Sequence, residues 1–535
     1  MSGVANKLIS AAGSGAEPEG AWDLSLAYYD PPEGLAWSIS TAFYRGFSRA
    51  IATQETAPSG VFLSSDGTKM YVVGTSSDAV NEYGLSVAWN VSSASYVRNR
   101  NVSSEDTAPA DIFFKPDGTK MYVLGGGTDS VYEYDLSTAW NVSTASYLQG
   151  LSVNAQDSSP EGLYFKPDGT KMYVVGRSTD SVLEYNLGTA WDVSTASYLQ
   201  NFSIAAENND PTSVFFKADG TKMYVTGFII DRVDEYALST AWDVSTASYT
   251  GDFLSVVAQE DQPRGMFFKQ DGTALYVVGT TSDRVYQYTL GGFDFEAQEG
   301  TAGGLFFKLD GTKMYITGAA GDDVNEYDLS TAWDLSTASF LRLFSVAAQD
   351  TSPTDIFFKP DGTKMYITGG QGRDVNEYDL STAWNVSSAS FIQNFSVATQ
   401  DIAPEALFFK PNGLTLYVYG NDTDSVYEYS LSTAWDISTA SFTQSLVISE
   451  SVPSGLSFKP DGTKMFTTGK TSDRVNERTL STAWDISVGT GTAVFSTDIQ
   501  LDNNAGLFFK PDGTQMFVIG TAPSKVYAYT IAPQE

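Results

Sequence analysis

Residues 162–176 read GLYFKPDGTKMYVVG, and this stretch decides the fold. Two short apolar runs, GLYF and MYVV, flank the polar tetrapeptide Pro167-Asp168-Gly169-Thr170. Proline presets φ and glycine supplies a positive φ, so PDGT closes a hairpin between two strands buried on both faces. Residues 177–180 (RSTD) then make a polar turn, and VLEYNL (182–187) alternates in the period-two manner of a half-buried third strand. GTAWDVSTAS is a longer connection carrying Trp191. SYLQNFSIAA reads as a fourth strand, and ENNDPTS leads back to the next buried one.

The unit recurs along the chain. Its Asp-Gly pair stands at Asp66, Asp117, Asp168, Asp219, Asp271, Asp310, Asp361, Asp461 and Asp512, with Asn412 in one copy. The spacings are 51, 51, 51, 52, 39, 51, 51, 49 and 51, so there are ten copies and one short interval. Four antiparallel strands repeated in tandem predict an all-β propeller of ten four-stranded blades. The PDG hairpin followed by YV resembles the YVTN and NHL-type propeller families over residues 36–531, which implies the same architecture. The regular PDGTKMYV repeats are also similar to those in phage and marine microbial proteins.

A propeller closes by joining its first and last blades, which removes the open sheet edges. Residues 36–60, AWSISTAFYRGFSRAIATQETAPSG, match a connection and fourth strand with no preceding three, while 506–531 supply three strands and stop. The sequence therefore predicts that the N-terminal strand completes the last blade. A single ring with one trimmed blade and an open channel is preferred, and two five-bladed rings meeting at Gly291-Gly292 are the alternative. Residues 1–35, although AWDLSLAYY echoes TAWDVSTASY, are expected to form an N-terminal extension or tether ahead of a propeller over 36–535.

Composition narrows the chemistry. The 31 basic and 64 acidic residues give a formal charge of −33, which repels phosphate backbones and argues against nucleic acid as a partner. There is no cysteine and no histidine, so disulfides, thiolates, imidazole ligands and the usual His-based triads are excluded. No window has the apolar length of a membrane helix, and the N-terminus lacks a typical secretory signal.

Residues recurring in every copy mostly report packing. Trp89, Trp140, Trp191, Trp242, Trp333, Trp384, Trp435 and Trp484, with Trp37 in the blade expected to be shared, read as plugs at the outer end of each blade. Sugar stacking is their functional alternative. Lys115 and its counterparts in the first strand, with Glu133 and its counterparts in the third, suggest cross-strand pairs or solvated edges. Sequons such as Asn141-Val142-Ser143 are by-products of the repeat.

Two sets of loop acids are expected to crowd one face of the disc. Asp78, Asp129, Asp180, Asp231 and Asp283 belong to the set before the third strand, and Asp106, Asp157, Asp350 and Asp401 to the set before the first. Their functional reading is a face that binds Ca²⁺ or grips a basic partner. The alternative is Asp as a turn former that hydrogen-bonds its own backbone. No other cofactor is expected.

The sameness of the blades favours a surface over an active site. The expectation is a non-enzymatic virion structural or adhesive protein, a phage tail or capsid appendage located in the virion. It would contact other virion proteins through the N-terminal segment and a host receptor or glycan through the disc. A bacterial surface or secreted interaction scaffold, placed extracellularly, is one alternative. A lactonase- or glycosidase-like propeller enzyme is the other.

Overall fold

The computed structural model describes residues 22, 24, 27–29, 35–448, 450, 452–498 and 500–531. It is all-β, with antiparallel sheets of four strands and single-turn 3-10 helices in the Trp connections. The specimen blade consists of Pro160–Phe165, Lys171–Gly176, Ser181–Leu187 and Ala196–Ser203 in sequential order, as the periodicity predicts. The first two strands are buried almost throughout, and the fourth alternates exposed and half-buried residues.

The chain forms two compact units, a continuous one over Ala36–Leu290 and a split one made of Met1–Leu35 with Gly291–Glu535. In the continuous unit each first strand touches those of its two neighbours, and Pro263–Phe268 of the fifth blade touches Pro58–Leu63 of the first. Tyr276 donates its hydroxyl to the Trp89 carbonyl at 2.7 Å, and Phe267 packs on Phe62 at 4.9 Å, so five blades close a ring. The split unit closes in the same way through Phe306–Phe508, 5.2 Å, and Phe307–Phe517, 4.5 Å. The preferred single ten-bladed ring is thus corrected to two five-bladed rings.

The closing strands are corrected with it. Phe43–Ala50 pairs with Arg284–Thr289 and completes the fifth blade of the continuous unit, not the last blade of the chain. No blade is trimmed: the 39-residue interval is where the chain leaves one ring for the other. Gly291 and Gly292, at φ +89° and +91°, carry that join in backbone that favours glycine. The last blade, Asp502–Phe509, Gln515–Ala522 and Ser524–Ile531, receives Ala27–Tyr29 and the two-residue Phe293–Asp294 along one edge. The sequence echo therefore ends in a real strand, Ala27–Tyr29, at the fourth-strand position. Apart from Trp22, Leu24, Ala27–Tyr29 and Leu35, the extension or tether expected over residues 1–35 lies outside the described residues.

Blades are latched by the recurring residues. Trp191 sits at φ +67°, its N–H donates to the Gly169 carbonyl at 3.0 Å, and its indole covers Gly169, where a Cβ would fall inside the ring. It also stacks on Phe165 of its own blade and Phe113 of the preceding one, so it seals a seam between blades and not an outer end. Trp37 covers Gly272 and Trp22 covers Gly513, each in the blade its segment completes. The third-strand glutamates are buried, apart from the half-buried Glu428. Glu133 takes Lys120 at 2.5 Å, Gln149 at 2.9 Å and the Val193 N–H of the next blade at 3.1 Å. Lys115 instead pairs with Asp117 in its own turn at 2.7 Å, so the expected Lys115–Glu133 partnership is replaced by two separate pairs.

Candidate functional site

Candidate chemistry begins where the blades differ. The residue after the opening proline of each first strand reads Ser59, Ala110, Glu161, Thr212 and Arg264 around the continuous ring. Because the first strands surround the axis, these positions gather at one axial mouth. Glu161 lies on Pro160–Phe165, Arg264 on Pro263–Phe268, and Arg177 in the turn after Lys171–Gly176.

Glu161 is held between two guanidiniums. Its Oε1 accepts from Arg177 at 3.1 Å, and its Oε2 faces Arg264 at 3.6 Å. Arg177 also pairs with Asp210, and the Arg264 guanidinium lies over the Phe228 ring, 4.1 Å from its centre. Side-chain exposures of 17% for Glu161 and 21% for Arg264 leave both half-buried yet reachable. Burial raises the Glu161 carboxyl above its ordinary value even though Arg177 and Arg264 pull it down. Burial lowers the Arg264 guanidinium from its usual value.

Beneath this cluster lies Asp111, fully buried. One carboxyl oxygen accepts the Ile112 N–H and the other the Leu163 N–H, both at 2.8 Å. Burial nevertheless pushes it up to about 8, with the Glu161 charge adding to the effect. Asp111 therefore ties its own blade to the strand that carries Glu161. The split unit repeats the pair as Asp355, also at about 8, and Glu405, whose partner is Lys470 at 2.9 Å. The carboxyls are thus duplicated, while the two arginines belong to the continuous unit alone.

The loop acids singled out from sequence lie elsewhere in each blade. Asp78, Asp129, Asp180, Asp231 and Asp283 all have φ between +46° and +52°, the left-handed turn position, and their carbonyls accept the N–H that ends the fourth strand. Asp106 is buried; Ala108 and Thr128 donate backbone N–H groups to it at 2.6 and 2.8 Å. Asp157 takes Ser159 and Thr179 in the same way, Asp350 takes Ser352 and Gly372, and Asp401 takes Ala403 and Thr423. These carboxylates staple one loop to another. Among the described residues no three acids stand close enough to share a metal ion. Phe228 is a wall of the Arg264 site.

Comparison with known proteins bears on this site. The family model for "Lactonase, 7-bladed beta-propeller" matches residues 101–293, which include Asp111, Glu161, Arg177, Asp210 and Arg264 but well under half of the chain. No curated protein matches the sequence. Solved structures similar to the chain include two described as "putative 6-phosphogluconolactonase". The one from Bacteroides uniformis is 14% identical, with 72% of this chain and 97% of that chain covered and a TM-score of 0.26. The one from Bacteroides fragilis is 13% identical, with 71% and 95% covered and a TM-score of 0.26. A protein from Lactobacillus plantarum is 13% identical, with 63% and 84% covered and a TM-score of 0.28. The lactonase match overturns two expectations drawn from the uniform blades, that of a virion structural protein and that of a chain without enzymatic character.

Proposed function

We propose that the continuous unit is a lactonase-like hydrolase acting on small, oxygen-rich cyclic esters at the mouth of its axis. The observation that carries this reading is the Glu161–Arg177–Arg264 cluster, which is specific to a few blades and lies inside the segment matched by the lactonase model.

Each residue has a role that its surroundings support. Glu161, its proton affinity raised by burial, takes a proton from water as the water attacks the ester carbonyl. The tetrahedral oxyanion forms beside Arg264 and Arg177, whose charges stabilise it in a partly dehydrated setting. Collapse breaks the ring C–O bond, the departing alkoxide takes the proton back, and the product is a hydroxy acid whose carboxylate suits the same guanidiniums. Asp210 orients Arg177, and Asp111 positions the strand bearing Glu161. Neither histidine nor cysteine is needed for these steps.

The test is loss of glucono-δ-lactone followed with a pH indicator and compared with spontaneous opening. The wild type is expected to exceed the spontaneous rate, and Glu161→Gln to lower kcat by about 100-fold or more, as loss of a general base does. Arg264→Met is expected to lower kcat as well, because it removes a charge that stabilises the oxyanion. Because the base must be ionised, kcat/KM rises with pH through a value above the ordinary 4.5 of Glu. A wild-type rate equal to the spontaneous one across several lactones refutes the proposal.

A further inference from the structure

One aromatic residue from each blade meets its neighbours around the axis of the continuous unit. Phe62, Phe113, Tyr164, Phe215 and Phe267 touch in succession, edge to face, at centroid distances of 5.3, 5.5, 5.0, 5.5 and 4.9 Å. Five rings close a pentagon and fill the axis, which replaces the open channel expected for a wider ring. The equivalent positions of the split unit are Phe306, Phe357, Phe408, Ser457 and Phe508. Three contacts of that pentagon remain, Phe306–Phe357 at 5.3 Å, Phe357–Phe408 at 5.4 Å and Phe306–Phe508 at 5.2 Å. The other two are missing because Ser457 carries no ring.

The gap is a cavity of about 150 Å³, walled mainly by Phe side chains and leucines and bordered by the prolines of the PDG turns. An apolar cavity of about that size in another protein stays dry and binds benzene. Ser457 adds a polar handle: among the described residues its hydroxyl has no hydrogen-bond partner. The remaining faces and edges match those that receive a fifth ring in the continuous unit, where each aromatic offers an edge to one neighbour and a face to the other.

We propose that the split unit binds a small phenol, a single aromatic ring bearing one hydroxyl, which takes the place of the missing fifth ring and hydrogen-bonds Ser457. The site is independent of the hydrolytic reading, since it lies in the other unit and uses none of the same residues.

The probe is 4-fluorophenol titrated into the full-length chain and followed by ¹⁹F NMR. Saturable one-site binding is expected, weakened at least 10-fold in Ser457→Phe, which fills the gap, and weakened less in Ser457→Ala, which removes only the hydrogen bond. Crystals of the wild type soaked in 4-iodophenol give a second reading that needs no variant to fold. Iodine density between Phe408 and Phe508 supports the proposal. Absence of saturable binding, equal binding by Ser457→Phe, or iodine density only elsewhere overturns it.

Discussion

Replacing Asp111 by Asn should change how stability depends on pH, in a direction the burial of this group dictates. The carboxyl is fully buried and pushed from the usual 3.8 to about 8. Below pH 4 it is protonated in both the folded and the unfolded chain. Between pH 4 and 8 the unfolded chain loses the proton while the fold keeps it, so stability falls as pH rises and levels off above 8. Each pH unit in that window is worth at most about 1.4 kcal/mol, so the fall sums to as much as about 6 kcal/mol. Asn does not titrate, and the variant lacks this slope.

Asn also has only one acceptor for the two N–H groups of Ile112 and Leu163, which costs about 1–3 kcal/mol where the wild-type group is neutral. The variant is therefore less stable than the wild type at pH 4.5, and by pH 8 the order is reversed. Urea unfolding followed by tryptophan fluorescence at pH 4.5, 6, 7 and 8 reads the difference between the two proteins, which cancels every other titrating group. A difference that stays constant across the range refutes the claim that Asp111 is neutral in the fold. Asp355→Asn is expected to behave alike for the split unit.

Other substitutions test the framework. Gly169→Ala places a methyl group inside the Trp191 indole at a φ of +73° and is expected to cost about 2–5 kcal/mol in thermal unfolding. Glu184→Gln leaves Lys171 without its buried partner and weakens the acceptor for the Val244 N–H, a loss of about 3–5 kcal/mol by urea titration. Trp22→Ala removes rings stacked on Phe466 and Phe509 at 6.0 and 5.3 Å and should cost the split unit about 3–5 kcal/mol. Hydrogen exchange should show that loss confined to the split unit, with lactone hydrolysis unchanged.

Strands, turns and blades were legible because each is written in local chemistry. PDGT must turn, MYVV must be buried, and ten copies leave little freedom in reading either. Ring number was not legible, because one ring of ten and two of five bury the same side chains in the same strands. The deciding signal was short: AWDLSLAYY at 21–29 is a second sequence match to the connection and fourth strand, and its end, Ala27–Tyr29, pairs with the last blade as Phe43–Ala50 pairs with the fifth.

The site was hidden for the opposite reason. Attention to residues present in every blade selects packing groups such as Trp191 and Glu133. Glu161 and Arg264 occupy a position that varies from blade to blade. Reading Ser59, Ala110, Glu161, Thr212 and Arg264 as one column would have exposed the charged pair. Among the conspicuous loop acids, Asp106, Asp157, Asp350 and Asp401 accept backbone N–H groups that only the folded loops bring to them, which no local pattern shows.

Hydrolysis of glucono-δ-lactone by the full-length wild type, set beside Glu161→Gln under the same conditions, decides whether the axial mouth of the continuous unit is a reaction centre. A wild-type rate above spontaneous opening that falls about 100-fold or more in Glu161→Gln, with the melting temperature of the variant unchanged, is the predicted result. Equal rates in the two proteins at matched stability would contradict it.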